Sequence, residues 1–155
     1  MSEYKKFSQE LCDENDAVAK ETAVNFLEWK KYYKLETPLS EQAELYKKQD
    51  FEIKLLSTDM KIRVEVERKK VWVKSGAWQG WTTIDVPVRK KDSEAHLFIM
   101  VNKSCDTIAI THMEKVLGSK ISSKKTIYTS KEEFFNVDLK CFRFYKKVDS
   151  GWEKF

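Results

Sequence analysis

The chain has 155 residues, of which 41% are hydrophobic and 13% aromatic, with four glycines and two prolines. This composition is that of an ordered globular protein rather than a disordered one, and the length favours one domain over residues 1–155. The net charge of +4 permits a polyanionic partner without requiring one. The three cysteines are widely spaced and form no CxxC pair, which argues against a zinc ribbon or a disulfide framework.

The first residues and the apolar runs bear on cellular location. Met1–Lys6 lacks the apolar stretch of a signal peptide, and no apolar run reaches the length of a membrane span. We therefore expect a soluble protein with no membrane partner, located in a reducing cytoplasm.

Two helices are predicted at the start of the chain. Apolar and aromatic residues recur every three or four positions from Asp13 to about Lys34, which predicts an amphipathic helix. Residues 36–38 end this helix, because they include a proline. Ser40 is placed to cap a shorter second helix through about Lys48.

A β-hairpin is predicted over residues 50–70, with its turn at residues 57–59. Six apolar residues alternate with polar ones and therefore share one face of the hairpin: Phe51, Ile53, Leu55, Ile62, Val64 and Val66. The opposite face gathers the polar residues of the other parity, which are Asp50, Arg63, Glu65, Glu67 and Lys69.

Short apolar runs predict further strands in the middle of the chain. Residues 71–73 extend the second hairpin strand, and residues 74–80 form a loop that contains glycine and tryptophan. Three strands follow, at residues 81–86, 96–101 and 107–111. The run 96–101 is continuously apolar, which is typical of a strand that is buried on both faces.

Small helices and one strand are predicted for the last part of the chain. Residues 114–117 form a helical turn, and residues 120–125 form a basic loop. Ser130 and Glu133 have capping-box spacing, which predicts a short helix through the two phenylalanines that follow. A last strand covers residues 139–145. This order of elements predicts a layered α/β or α+β fold.

The polar face of the hairpin has the pattern of a divalent-metal site. Asp50 lies on one strand, while Glu65 and Glu67 lie two residues apart on its neighbour, so that all three share a face. Mg²⁺ prefers carboxylate oxygens, and such an ion activates water and stabilises the charge on a phosphate. Lys69 continues the face and could orient the attacking water or stabilise the developing charge.

Asp50, a turn and the strand Ile62-Arg-Val-Glu-Val-Glu-Arg-Lys69 together resemble the PD-(D/E)XK nuclease superfamily, which has the restriction-endonuclease-like fold. The element order over residues 17–111 is also similar to that family, whereas the motif itself covers only residues 50–69. Two registers of the motif are open. Glu65-Val-Glu67 places an acid where lysine is usual, and Glu67-Arg-Lys69 fits the pattern literally. We favour the first, because Glu65 lies in the middle of the apolar strand.

The resemblance implies a mixed central β-sheet flanked by helices. It also implies a Mg²⁺-dependent DNA endonuclease that hydrolyses phosphodiester bonds with a metal-activated water, with Mn²⁺ able to replace Mg²⁺. The implied ligands and their helper are residues of the hairpin: Asp50, Glu65, Glu67 and Lys69. An acid from the first helix, Glu21, would join the ligands, and Glu44 in the second helix is the alternative.

The resemblance also suggests how such a small nuclease would work. We expect it to act on duplex or branched DNA, to form a homodimer when it cuts two strands, and to belong to a phage, plasmid or other mobile element, in which case it acts in the host cytoplasm. Basic loop residues are predicted to contact DNA phosphates: Arg89, Lys90, Lys124 and Lys125. Trp72, Trp78 and Trp81 are interpreted as core or loop anchors rather than base-stacking groups.

The same residues are compatible with three other interpretations. The acids could form an exposed strand face with ion pairs across neighbouring strands. The chain could be a nucleic-acid-binding member of the same fold that has lost its metal site, because position 67 has glutamate instead of lysine. It could also be a protein-interaction module that covers its partner with a sheet edge and has no affinity for DNA.

Overall fold

The computed structural model describes residues 9–45, 50–124 and 132–155. Its helices are α1 (Gln9–Trp29), α2 (Leu39–Leu45) and α3 (Met113–Leu117), and two short 3-10 helices cover Val88–Asp92 and Leu139–Cys141. The strands, in chain order, are β1 (Tyr33–Lys34), β2 (Phe51–Leu55), β3 (Lys61–Arg68), β4 (Thr83–Pro87), β5 (Leu97–Val101), β6 (Thr107–His112), β7 (Lys120–Lys124), β8 (Glu132–Asp138), β9 (Arg143–Val148) and β10 (Gly151–Lys154). None of the helices in these ranges has both the length and the apolar character needed to cross a bilayer.

The strands form two sheets, which confirms the predicted mixed α+β class. The larger sheet has the order β1-β2-β3-β5-β6-β9-β10, and the smaller one has the order β4-β8-β7. Every pairing in the larger sheet is antiparallel except that of β3 with β5, which is parallel. Parallel neighbours need a long crossover connection, and here residues 69–96 provide it.

The predicted hairpin is confirmed, with its apolar face buried. Phe51 pairs with Val64, and Ile53 pairs with Ile62. Burial of these side chains ranges from complete for Phe51 to nearly complete for Ile62. Asp59 has φ +59°, the left-handed conformation that tight turns use and that Asp tolerates better than most residues.

The first face of the large sheet packs against α1. This apolar core contains residues of both, among them Ala23, Phe26, Val64, Val66 and Ile99. Phe26 is fully buried, and its ring meets the ring of Trp152 edge-on at 5.5 Å between centroids. The strongest sequence signals, the helical stripe and the hairpin alternation, therefore meet in one core.

The second face of the large sheet packs mainly against the small sheet. The shared core contains Phe98 and Met100 from β5, Ile84 from β4 and Val137 from β8. Among the described helices, α3 contributes Met113 and Val116 to this core, so a second sheet provides most of the cover on this face. The polar face of the hairpin is accordingly covered over part of its area rather than fully exposed to solvent.

The predicted end of the first helix and the predicted start of the second are wrong. Helix α1 ends at Trp29 rather than near Lys34, because Lys31 adopts φ +64° and Tyr33 then pairs with Leu55 of β2. Helix α2 begins at Leu39 instead of being capped by Ser40. Its predicted last turn, residues 46–48, lies outside the described residues.

Residues 71–73 are not a continuation of β3, as the sequence suggested. The chain turns after Arg68, and the Trp72 N–H donates to the Lys69 carbonyl at 3.0 Å. Trp72 is fully buried in the second core, and this burial draws the chain away from the sheet direction. The predicted strand at residues 81–86 exists as β4, but it belongs to the small sheet.

The last part of the chain contains more strand than the sequence predicted. Residues 120–124 form β7 rather than a loop, and residues 132–138 form β8 rather than a helix. In β8, Phe135 and Val137 alternate with polar residues and pair with Val86 and Ile84 of β4. The strand predicted at 139–145 begins only at Arg143, after a 3-10 helix, and the tail adds β10. Tertiary pairing therefore overrides the local capping-box signal.

Candidate carboxylate–lysine site

The hairpin brings Asp50 next to Glu65. Because Phe51 pairs with Val64, the next pair along the ladder is Asp50 with Glu65. The Asp50 N–H donates to the Val64 carbonyl at 3.0 Å, and Asp50 Oδ2 accepts the Val66 N–H at 2.6 Å. The Asp50 carboxylate is thus fixed against β3 by the backbone of β3 itself.

Strand β3 directs Glu65 and Glu67 to the second face of the sheet. Glu65 pairs with Phe98 and Glu67 pairs with Met100, both of which belong to the second core. Glu65 is only 6% exposed. Glu67 Oε2 is buried and has no hydrogen-bond partner among the described residues. Since a buried carboxylate is unfavourable unless it is paired, this face needs a cation.

Lys90 supplies that cation from a different part of the chain. It lies on the 3-10 helix Val88–Asp92, directly after β4, and its Nζ is 2.5 Å from Glu65 Oε1. Ser93, just past the same 3-10 helix, donates its hydroxyl to Glu65 Oε2 at 3.4 Å. The Lys90 side chain is 22% exposed, so it lies inside the cluster rather than on an open rim.

The pKa shifts indicate that the three carboxylates and Lys90 form one electrostatic unit. Burial, followed by the nearby Asp50 carboxylate, raises the pKa of Glu65, and Lys90 opposes this only in part. Burial by itself lowers the pKa of Lys90. The carboxylates of Glu65, Asp50 and Glu67 outweigh it, so the pKa of Lys90 is raised. Lys90 is therefore charged at neutral pH and interacts with all three acids.

Lys69, the lysine predicted to assist catalysis, makes its described contacts elsewhere. Its Nζ lies 5.9 Å from the centre of the Trp81 ring, and its backbone N–H donates to the Val101 carbonyl. The lysine that contacts Glu65 is Lys90. The position of the motif lysine in sequence is therefore a poor guide to which ammonium group reaches the carboxylates.

Helix α1 places Lys20, rather than the predicted Glu21, beside Asp50. Glu21 is exposed, and α1 packs on the first face of the sheet, opposite to Glu65 and Glu67. The preceding residue, Lys20, has its Nζ 3.8 Å from Asp50 Oδ1. The expectation that Glu21 joins Asp50 is not supported by this placement.

Several predicted residues fall outside what the structure describes. The side chains of Glu44, Arg89 and Lys124 are not among the described parts, and neither is any part of Lys125. Their roles as a ligand or as phosphate contacts stay predictions.

Comparison with protein-family models, curated protein sequences and solved structures finds no match for this chain. The resemblance to PD-(D/E)XK nucleases therefore depends on the residues and geometry of this chain alone.

The cluster has the donor set of a hard-cation site but not its finished geometry. Within the described ranges, no three His, Cys, Asp or Glu side chains converge closely enough to hold a metal ion as they stand. Glu65 contacts the Lys90 ammonium directly, and Asp50 and Glu67 act on it electrostatically. Three carboxylates are nevertheless the ligands that Mg²⁺ and Mn²⁺ prefer, and the unpartnered Glu67 Oε2 is free to accept a cation. The residues thus fit such an ion chemically.

Lys90 and Ser93 are the members of the cluster whose place the sequence did not reveal. Lys90 stands in a charged run with Arg89 and Lys91, which reads as a solvated loop. A signal did exist, because buried acids on the hairpin require a positive partner. The sequence does not say which of its 29 basic residues provides it, since that depends on the crossover between β3 and β5.

Proposed function

We propose that the chain is a divalent-metal-dependent nuclease that hydrolyses DNA phosphodiester bonds. The observation that carries this proposal is the largely buried Glu65–Lys90 pair, with Asp50 and Glu67 near enough to act electrostatically on the same ammonium. The two strands that supply the acids have the order and spacing of the PD-(D/E)XK motif, and a lysine is present although position 67 has glutamate.

Asp50, Glu65 and Glu67 are the residues that would hold Mg²⁺ or Mn²⁺. When bound, the ion supplies a water that is activated near neutral pH and neutralises charge on the phosphate. The Asp50 carboxylate is already oriented by the Val66 N–H, and Glu67 Oε2 needs no existing hydrogen bond to be broken. This preorganisation lowers the cost of binding a cation.

Lys90 takes the role that the resemblance gave to Lys69. Its ammonium is charged, largely buried and beside the acids, so it can donate to a phosphate oxygen in surroundings where an electrostatic contact is stronger than in water. Ser93 holds the other oxygen of Glu65 and thereby limits the rotation of that carboxylate.

The proposal includes the partners and location expected from the sequence. The substrate is duplex or branched DNA, which the net charge of +4 favours electrostatically. The protein acts as a homodimer when both strands are cut, and it works in a reducing cytoplasm, with which the free thiols of Cys105 and Cys141 agree.

Nicking of supercoiled plasmid tests the proposal. The wild-type protein should nick in the presence of Mg²⁺ or Mn²⁺ and should be inhibited by a chelator. Asp50→Asn and Glu65→Gln should each reduce the rate by about a hundredfold or more, as loss of a transition-state electrostatic contact does. Calorimetric titration with Mn²⁺ gives a second readout, and both variants should bind the ion more weakly.

Asp59→Asn is the matched control for these variants. It removes one negative charge from the far end of the same hairpin, where the Asp59 side chain is 78% exposed. Asn also tolerates the left-handed conformation of this residue. Equal nicking by wild type and Asp50→Asn would point to a contaminating nuclease and would refute the site assignment.

The Lys90–Glu65 salt bridge favours a second candidate function, a nucleic-acid-binding protein without catalysis. In that case the ammonium replaces the metal permanently and serves only to neutralise the acids. This candidate predicts salt-dependent DNA binding, with no Mn²⁺ heat signal and no nicking. Absence of affinity for duplex, branched and single-stranded DNA at low salt would instead favour a protein-interaction module.

A further inference from the structure

The connection from β3 to β4 begins immediately after the carboxylate strand. We call residues 69–81 the tryptophan loop, because Trp72, Trp78 and Trp81 all lie in it. Lys69 follows Glu67 by two residues, and two residues of chain span at most about 7 Å. The first residue of the loop is therefore close to the proposed catalytic acids.

The rings of the three tryptophans contact one another in series, from the core to the surface. Trp72 is fully buried, and its ring meets that of Trp78 edge-on at 4.8 Å between centroids. Trp78 in turn meets Trp81 edge-on at 5.5 Å, and its indole N–H donates to the Trp81 carbonyl at 2.7 Å. Trp81 is thus held by both its ring and its backbone.

A polar network fastens the middle of the loop, residues 74–76, to the turn between β5 and β6 and the start of β6. The fully buried Asn102 donates to the Lys74 carbonyl at 2.9 Å. The Ser75 hydroxyl donates to Asp106 Oδ2 at 2.7 Å, and the Gly76 N–H donates to the Thr107 hydroxyl, also at 2.7 Å. These hydrogen bonds fix the loop against the large sheet.

Trp81 remains 41% exposed although it is held in this way. The Lys69 ammonium lies 5.9 Å from the centre of its ring, and the neighbouring Lys70 and Lys74 are exposed. An exposed indole beside the Lys69 ammonium, in a loop with two further exposed lysines, matches two features of nucleic acid, the flat faces of the bases and the charge of the phosphates. Proteins that bind single strands combine these same two elements.

We propose that Trp81 stacks on an unpaired base of the substrate while Lys69, Lys70 and Lys74 contact the flanking phosphates. In a duplex the bases already stack on one another, so an exposed ring finds a free base face only in a single-stranded segment, a branch or an end. Two residues of chain span at most about 7 Å, so the loop begins within about two nucleotides of Glu67 at about 3.4 Å per nucleotide along one strand. The inference rests on the proposed nuclease function and specifies its substrate as DNA with unpaired nucleotides beside the cleaved bond.

Fluorescence anisotropy in the presence of EDTA tests the proposal without any cleavage. The probes are a labelled oligothymidylate, the same strand with one abasic position, and a duplex of equal length. Wild-type protein should prefer the single strand to the duplex. Trp81→Ala should weaken single-strand binding by about tenfold, and Trp81→Phe should retain most of it, because stacking needs an aromatic ring rather than an indole.

Two further variants separate stacking from charge and from general damage. Lys70→Gln should reduce the slope of log affinity against log salt by about 0.7, the value for one phosphate contact on a single strand. Tyr32→Ala is the matched control, because Tyr32 is 62% exposed and lies near the β2–β3 turn, outside the tryptophan loop. It should bind as the wild type does. Thermal melting of each variant checks that the fold is intact.

The outcomes distinguish this inference from the proposed function. Equal single-strand affinity for wild type and a folded Trp81→Ala would overturn the inference, even if metal-dependent nicking is observed. A wild-type preference for the duplex would overturn it as well. Failure to bind any of the probes would do the same and would assign the loop to a protein partner. Absence of nicking together with Trp81-dependent binding would overturn the nuclease function alone and leave the stacking role in place.

Discussion

The two faces of the large sheet differ in chemistry although β3 contributes to both. On the first face, Val64 and Val66 pack against α1 in a core made of apolar side chains. On the second face, Glu65 and Glu67 lie at the margin of a core that Phe98 and Met100 build with the small sheet. The period of two along a single strand is enough to separate the two environments.

This difference teaches how the fold accommodates buried charge. A buried ion pair contributes little net stability, because desolvation offsets the attraction between the charges. Apolar burial on the first face therefore stabilises the fold more than the Glu65–Lys90 pair does. We expect substitutions in the apolar core of the first face to act on unfolding alone, and substitutions in the charged cluster of the second face to act on unfolding in a pH-dependent way and on ligand binding.

Phe26→Ala should give the largest effect. Phe26 is fully buried and contacts the rings of both Tyr145 and Trp152. Its truncation should lower the free energy of unfolding by about 3–5 kcal/mol, measured by urea titration. Phe155→Ala, which removes a ring that is 44% exposed, should change it by about 0.5 kcal/mol or less. If the folded Phe26→Ala protein also loses Mn²⁺ affinity, the two faces are not separable.

Lys90→Met should have the next largest effect. It leaves the buried Glu65 carboxylate without its cation, which should lower the free energy of unfolding at pH 7 by about 2–3 kcal/mol. The double variant Lys90→Met with Glu65→Gln should recover much of this loss, because no buried charge remains unpaired. A double variant as unstable as Lys90→Met would mean that packing, not charge, holds Lys90 in place.

The effect of Lys90→Met should also depend on pH. The pKa of Glu65 is raised by burial first and by Asp50 second, and loss of the ammonium raises it further. The loss should be small below about pH 4.5, where Glu65 is protonated in both the folded and unfolded states, and should grow as pH rises through the folded-state pKa. It should shrink again above about pH 10.5, where the raised pKa of Lys90 is approached. Urea titrations across this range measure it.

Asp106→Asn should give the smallest effect. Burial favours the neutral acid, but hydrogen bonds from Ser75 and Asn102, among others, outweigh it and lower the pKa of Asp106. The stability that this acid contributes is present above about pH 3.8 and is lost as pH falls through its folded-state pKa. Asp106→Asn should therefore flatten the acid side of the stability curve and lower the melting temperature at pH 7 slightly, because the contribution of the ionised acid is lost. If the stability of Asp106→Asn falls at low pH as steeply as that of the wild type, the hydrogen bonds to Asp106 do not contribute to stability.

The sequence was sufficient for elements whose pattern is long and unambiguous. The hairpin at 50–70 and the apolar strand at 96–101 were predicted correctly, because alternation and continuous apolarity each match one type of burial. The shared face of Asp50, Glu65 and Glu67 followed from the alternation of side chains along the two strands. These predictions depend on residues close together in the chain, where geometry is fixed by the backbone.

The remainder could not be predicted because it depends on distant pairing. Residues 132–138 became a strand by pairing with β4, although the spacing of Ser130 and Glu133 had suggested a helix. Lys90 reaches Glu65 because it lies on the crossover that the parallel pairing of β3 with β5 requires. No local sequence pattern predicts that pairing. Tertiary context overrides local propensity in both cases.

The parallel pairing of β3 with β5 has a consequence for the order in which the molecule folds. Asp50 and Glu65 meet as soon as the hairpin closes, since only a short turn separates their strands. Lys90 and the tryptophan loop both lie on the crossover, which must close a long loop before it docks. We therefore expect the acids to come together before Lys90 docks, so that their mutual repulsion is neutralised only when the crossover closes.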